Sequence, residues 1–521
     1  MMGRDGCVDS GGMRSVAERK DARLDGEGGG RAVAGEGALR KAVWVIVAAG
    51  VAGRVLLYLW RQSYWGDEAF LLLNLRHYGV ERLLTGPLNY VASTQAGPPG
   101  FLLILKGVMV WLGEGEYAMR LWPLVCSVVG LVLFAVLAMR VLPGMGAVWA
   151  VGLFALSDKV VVQAATLKQY SGDVLAAVVL MLVARPWSEE ARGRRLGVTA
   201  VLAAGMLWFS HTTVFVFGAI SLAKLPGYWR RRAKGLGGFA LWNLLVVASF
   251  SALYWFSIRV QRDAFLVKYW QGAFVDFGRV GPLLGWLGES IWELFTYPVR
   301  PIGGVLLVPI GLAVGAMWID RRRELLMAVG GPFVLVMGAA CMGQYPFAGG
   351  RVTLFLAPLE LLLGAYGMAV MARMPGRVYH VAAWGLAVCL LAVAAGSTGY
   401  RVLFRETSEH LRPAIEHVRA SRQAGEGVYV MGEDEGAVFR VYWPEGEGLI
   451  KLEDGGKAAF AGERFWVIVR RDKKEQWGEV EAAAKELGVA ADVRRSYRPA
   501  WKAWALWYEG ERRLGTRPAG E

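Results

Sequence analysis

The sequence predicts an α-helical polytopic membrane protein with a small α/β domain at its C-terminal end, and three observations lead there. Of 521 residues, 55% are hydrophobic, and apolar stretches of spanning length recur as far as about residue 400; this is the composition of a multi-pass protein. The 22 Trp and 18 Tyr suit two membrane–water interfaces, where such rings settle at headgroup depth. The net charge of +14 gathers in short Arg/Lys clusters between apolar stretches, as the positive-inside rule expects. That placement argues against nucleic acid as a partner, which selects a basic face or stripe on a soluble domain. Cys7, Cys126, Cys341 and Cys389 are far apart, show no metal or disulfide spacing, and read as small apolar packing residues.

Residues Met1 to Lys41 are polar, Gly-rich and nearly charge-balanced, a composition that predicts a disordered cytoplasmic tail. Ala42–Trp60 is long enough for the first span, with Arg54 facing protein or reaching the interface. It delivers the loop Arg61–Arg120 to the far side of the membrane. Within that loop Ala69–Leu84 and Phe101–Leu112 read as interfacial helices, the second opened by Pro98-Pro99 in the first-turn position that suits proline. Treating Phe101–Leu112 as a span would place the Arg185–Arg195 cluster outside, against the charge rule.

Spans then follow over Leu121–Met139, Ala147–Ala165 and Val174–Ala184, and a hairpin over Leu196–Phe209 and Thr212–Ala223 places His211 at its tip. That histidine reads as interhelical packing. Phe239–Ile258, Gly303–Ile319, Leu325–Met342, Val352–Met371 and Val378–Ser397 complete eleven spans within residues 42–399. Arg259–Arg300 is expected as a second external loop able to cover a site. From Tyr400 to Glu521 the composition becomes that of a soluble domain, external by parity. Arg412–Gln423 and Lys474–Leu487 read as helices, and Gly427–Met431, Arg464–Arg470 and Trp501–Tyr508 as strands. No glycine fingerprint, nucleophile elbow or paired-histidine motif assigns this domain any chemistry.

Three external segments carry the polar groups: Asp67 and Glu68, then Lys168 to Asp173, then Tyr345 to Arg351, with Arg120 closing the first loop. An acidic pair just past a span resists leaving water and is a functional candidate for that reason. Convergence of these segments would join a carboxylate able to accept a proton with cations, or a divalent ion held by carboxylates, able to stabilise a departing phosphate. Those are the needs of group transfer from a lipid phosphate. Singly, Arg120, Lys168 and Arg351 read as interfacial anchors and Asp173 as a cap for the helix that begins at Val174. A transporter or lipid flippase is the alternative reading, but no internal repeat accompanies these charges.

Trp65-Gly66-Asp67-Glu68-Ala69, Gln95 with Pro98-Pro99-Gly100, and Gly115-Glu116 with Arg120-Leu121 resemble the first external loop of the GT-C glycosyltransferases. The match is to the bacterial branch related to protein O-mannosyltransferases and to the transferases that add sugars or aminoarabinose to lipid A. Lys168-Gln169-Tyr170-Ser171-Gly172-Asp173 and Tyr345-Pro346-Phe347 with Gly350-Arg351 are similar to later motifs of the same proteins. The resemblance covers about Val43 to Val402. Many relatives place His or Gln directly before the Pro-Pro, where this chain has Gly97. The resemblance implies a GT-C-like multi-pass enzyme of the inner (plasma) membrane that moves a sugar from a polyprenyl-phosphate donor, usually with inversion, to a lipid, glycan or protein acceptor outside. It implies Asp67, with Glu68 beside it, as base or as ligand of a divalent cation such as Mg or Mn. Arg120, Lys168 and Arg351 become candidates for the donor phosphate, and Gln95, Tyr170, Asp173 and Tyr345 for the pocket.

Overall fold

The computed structural model describes residues 36–90, 94–186, 192–230, 232–275, 277, 280–404, 410–445, 450–452, 464–470, 495–497 and 503–509. The tail expected before residue 36 and the helix expected over 474–487 lie outside these. Helix α1, Glu36–Leu59, opens six residues ahead of the expected tail boundary. Its Arg54 is fully buried, donating to Ser127 Oγ (2.9 Å) and to the carbonyls of Gly50 (2.9 Å) and Ala155 (3.1 Å). The charge is thus met by protein acceptors rather than by the interface.

The loop after α1 folds into α2 (Gly66–His77), α3 (Val80–Thr85) and α4 (Pro99–Leu112). At 1.5 Å per residue α4 is about 21 Å long, short of the ~30 Å of a bilayer core, as the interfacial reading requires. Pro98-Pro99 start it, and Gly100 then meets the hairpin tip so closely that a Cβ there would lie 2.8 Å from both the Trp208 carbonyl and the Phe209 ring. The bundle continues with α5 (Glu116–Val141), α6 (Met145–Leu156), α7 (Asp158–Val162), α8 (Tyr170–Ala184), α9 (Arg192–Met206), α10 (Thr213–Trp229) and α11 (Arg232–Leu253). A π turn over Tyr254–Ile258 leads into α12 (Arg259–Gln261); α13 (Ala264–Tyr269), α14 (Val280–Thr296), α15 (Leu307–Ile319), α16 (Arg323–Cys341), α17 (Ala357–Met371) and α18 (Arg377–Phe404) complete it.

Among the described residues, 6 helices are long and apolar enough to cross a membrane, and 8 if each bent pair counts as one. All eleven expected spans are helical, but Tyr170–Ala184 and Arg195–Met206 are short. One bend, of 50°, separates Met145–Leu156 from Asp158–Ala165. Ser157 sits at this break, its Oγ accepting from Val160 N–H (3.3 Å) and donating to the Pro298 carbonyl (2.7 Å). The expected loop Arg259–Arg300 is largely helical instead. Its second half, Leu283–Val299, turns by 103° into Gly303–Ile319, because Pro298 and Pro301 interrupt an otherwise continuous apolar pattern.

The C-terminal domain has α19 (Arg412–Ser421), β1 (Gly427–Met431), α20 (Glu433–Tyr442), β2 (Ile450–Leu452), β3 (Arg464–Arg470), β4 (Arg495–Tyr497) and β5 (Ala503–Glu509). Its sheet runs β2-β1-β3-β5-β4, with β1 parallel to β2 and β3, and β5 antiparallel to β3 and β4. The expected strands at 427–431 and 464–470 have those bounds, and the last begins two residues later than expected. Helix α20 and strands β2 and β4 were not foreseen. The domain shares one hydrophobic core with the first loop, in which Phe70, Leu73 and Leu105 pack with Ile415, Phe439 and Trp466. Polar contacts fix the same seam: Arg412 Nη1 to Glu116 Oε1 (2.5 Å), Tyr442 Oη to Glu116 Oε1 (2.8 Å), and Ser63 Oγ with His410 Nδ1 (2.6 Å).

Candidate active site

Helix α2 begins at Gly66, and its first turn carries Asp67 and Glu68, the acidic residues a helix N-terminus favours. Glu68 reaches back to the Trp65 N–H (3.3 Å), the third-position half of a capping box. The neighbours then diverge, because successive helical residues face about 100° apart.

Glu68 turns inward. It is fully buried and takes Arg120 in a two-point contact, Nε to Oε1 at 2.9 Å and Nη2 to Oε2 at 2.5 Å, with the Leu167 N–H at 2.5 Å as a further donor. Arg120 also donates to the carbonyls of Gln62 (2.6 Å) and Ser63 (3.1 Å), and lies over the Tyr64 ring at 5.2 Å. The pair therefore ties the first loop to α5 and to the segment before α8, and neither residue lines the cavity described below. The expected placement of Arg120 on a donor phosphate, and of Glu68 beside the chemistry, does not match this geometry: each has its partner already, in a site closed to solvent.

Asp67 turns outward into a cavity of about 380 Å³. Its Oδ1 lies 3.1 Å from Lys168 Nζ and its Oδ2 2.6 Å from Arg351 Nη2. Lys168 also donates to Gln95 Oε1 (2.6 Å), and the Gln95 amide bonds Asp67 in turn. Burial alone would push the Asp67 carboxyl up, but Lys168 and Arg351 outweigh it and hold Asp67 below the usual carboxylate range. Burial pulls the Lys168 ammonium down, against the support of Asp67. The Arg351 guanidinium sits over Trp65 (4.9 Å) and Tyr170 (5.8 Å), so its plane is fixed by aromatic faces as well as by charge.

Deeper in the cavity, Asp173 lies in the first turn of α8, which starts at Tyr170, so it is not the cap of a helix starting at Val174. Its Oδ1 accepts from Ser210 Oγ (2.6 Å). Beside it His211, expected as a packing residue, lines the cavity with its Nε2 buried and unbonded. Burial pushes this imidazole down to about 4, leaving it neutral at physiological pH. Tyr345 donates to the Val352 carbonyl (2.8 Å), stacks edge-on with Phe215 and lines the same wall. Across the mouth stand Phe265, Leu266, Tyr269 and Trp270 of the α13 segment, held by Thr94 donating to Asp263.

Seven of the nine expected site residues thus meet around one cavity: Asp67, Gln95, Lys168, Tyr170, Asp173, Tyr345 and Arg351. A divalent cation does not fit the donor set. Both Asp67 oxygens face cations, both Glu68 oxygens face donors, and no group of three or more His, Cys, Asp or Glu among the described residues is arranged to hold a metal. Sequence reasoning missed Trp65, His211 and the α13 aromatics as lining residues, and above all Asp434, which α20 brings to the cavity from the C-terminal domain. The only signal for α20 was the acidic run Glu433-Asp434-Glu435, a helix-start composition.

No family model matches the chain, and no curated protein matches it. Among solved structures, ArnT from Cupriavidus metallidurans bound to undecaprenyl phosphate is similar at a TM-score of 0.51 and 12% identity, over 89% of this chain and 97% of that one. The Archaeoglobus fulgidus oligosaccharyltransferase, in complex with zinc and sulfate, aligns at a TM-score of 0.47 and 12% identity, over 79% of this chain and 62% of that one. The first likeness is one of fold: over most of its length this chain shares the helical membrane architecture of that structure.

Proposed function

We propose that this protein is an integral-membrane glycosyltransferase that takes a sugar from a polyprenyl-phosphate donor and places it on an acceptor hydroxyl, with inversion. The observation that carries this reading is the triad of Asp67, Lys168 and Arg351 in a cavity rimmed by aromatic side chains. Two cations fixed by one carboxylate, one of them stacked on Trp65 and Tyr170, suit an anionic phosphate, while the aromatic rim suits an apolar tail. The ArnT structure similar in fold holds undecaprenyl phosphate, a ligand of that chemistry.

In the proposed step the acceptor oxygen bonds to the anomeric carbon from the face opposite the phosphate, and the bond from that carbon to the phosphate oxygen breaks. Polyprenyl phosphate leaves with the electron pair. Lys168 and Arg351 receive the developing charge, preset by Asp67 so that little reorganisation accompanies the reaction. The protein sits in the plasma (inner) membrane on this reading, with its N-terminus cytoplasmic and the cavity and C-terminal domain outside.

Purified protein given a polyprenyl-phosphate-hexose should transfer or release the sugar, and Asp67→Asn should abolish this by leaving Lys168 and Arg351 without their anchor. Unchanged turnover in a stably folded Asp67→Asn protein sinks the assignment.

A further inference from the structure

The proposed displacement needs a group to take the acceptor's proton, and Asp67 is poorly suited. Its carboxylate is clamped between Lys168 and Arg351, whose charges hold it ionised and weaken it as a base. Asp173 is buried and already accepts from Ser210. The His211 imidazole is neutral and lines the cavity between Ser210 and Thr212 in the chain, with its Nε2 buried.

The remaining carboxylate lining the cavity is Asp434. It is half-buried, and among the described residues no hydrogen bond or ion pair to its side chain is seen. It comes from the second residue of α20, just after Gly432, whose φ of 88° turns the chain from β1 into the helix. It approaches the first loop at Gly66 itself: a Cβ there would lie 2.6 Å from Asp434 Cβ and 3.0 Å from its Oδ1. Gly66 is directly joined to Asp67, so the Asp434 carboxylate lines the cavity beside the residue next to the anchor of the proposed phosphate-binding cations.

We infer that Asp434, presented by the C-terminal domain, accepts the hydrogen bond of the acceptor hydroxyl and takes its proton as the new glycosidic bond forms; this rests on the glycosyl-transfer reading above. The balance is complete. The acceptor oxygen gains the anomeric carbon and loses its proton to Asp434, while the phosphate leaves with the electron pair toward Lys168 and Arg351. Labour is divided by domain: the membrane part holds the donor, and the C-terminal domain activates the acceptor. A domain without a catalytic motif of its own thereby becomes half of the site.

The test uses the full chain in vesicles of the expressing cell's own membrane, which carry the acceptor, with a sugar-labelled polyprenyl-phosphate-hexose as donor. Label moved to non-donor material is followed, and undecaprenyl phosphate binding to the purified protein is read separately by tryptophan quenching. Asp434→Asn should bind undecaprenyl phosphate as the wild type does but transfer about 10²-fold more slowly or worse, the range of a lost general base. Asp434→Glu should recover part of the rate, since it restores the carboxylate. Transfer by Asp434→Asn at the wild-type rate overturns the inference and leaves the glycosyltransferase reading intact. Loss of undecaprenyl phosphate binding in both variants also overturns it, in favour of a docking role. A wild-type protein that moves no label refutes the underlying reading instead.

Discussion

Replacing Arg120 with Met separates what the structure assigns to this residue from what the loop motif implied. The substitution removes two hydrogen bonds to Glu68 (2.9 and 2.5 Å), two to the Gln62 and Ser63 carbonyls, and the contact with Tyr64. Glu68 is then left fully buried with, among the described residues, the Leu167 and Trp65 N–H groups as its remaining donors. Breaking a buried pair by removing one partner costs about 3–5 kcal/mol, because the other charge stays behind uncompensated. Thermal unfolding in detergent, followed by tryptophan fluorescence, should therefore fall sharply in Arg120→Met. Adding Glu68→Gln removes the stranded charge and should return part of the loss, with a coupling of about 1–3 kcal/mol between the sites. Undecaprenyl phosphate binding by the protein that remains folded should be little changed. If Arg120→Met melts with the wild type and binds undecaprenyl phosphate more weakly, the structural assignment is wrong and Arg120 is a phosphate ligand after all.

Gly66→Ala should detach the two domains at the cavity mouth, since its Cβ would fall 2.6 Å from Asp434 Cβ; protease sensitivity of the α19–α20 region should rise while the bundle still folds, and unchanged sensitivity contradicts the close approach. Chelation by EDTA should leave donor turnover unaltered, because on the proposed reading Lys168 and Arg351, and no metal, meet the phosphate; loss of turnover restored by Mg or Mn would show that the carboxylates do hold a cation. His211 predicts a pH effect on stability. Its folded value of about 4 lies below the ~6.5 of a free imidazole, so the unfolded chain takes up the proton first. Stability present above pH 6.5 is then lost progressively as pH falls toward 4, and His211→Gln should flatten that slope; equal slopes in both proteins refute the burial argument.

The bundle was readable because its signals are local. Runs of apolar residues between basic turns give helices, and Pro98-Pro99 marks the start of α4. The three polar segments were also readable, and the structure brings them to one cavity through Asp67, Lys168 and Arg351. What sequence could not supply is direction around a helix whose neighbours are unknown. Asp67 and Glu68 look equivalent in the string, yet their roughly 100° separation sends one to the cavity and the other to Arg120. Nor could it find Asp434, which lies 367 positions beyond Asp67 and reaches the mouth only because α20 packs on α2. Arg259–Arg300 failed for a related reason: its polar flanks suggest a loop, and only the 103° turn at its end shows an apolar helix folding back into the bundle.

The aromatic rim has a kinetic consequence. Phe265 and Tyr269 are 47% and 63% exposed, at the place where headgroups and acyl chains meet on the proposed reading, and such rings partition to that depth. A donor reaching the cavity past them arrives by lateral diffusion, from a two-dimensional pool. The concentration that governs turnover is then its mole fraction among the lipids, so that adding inert phospholipid at constant total donor slows a subsaturated reaction by surface dilution alone.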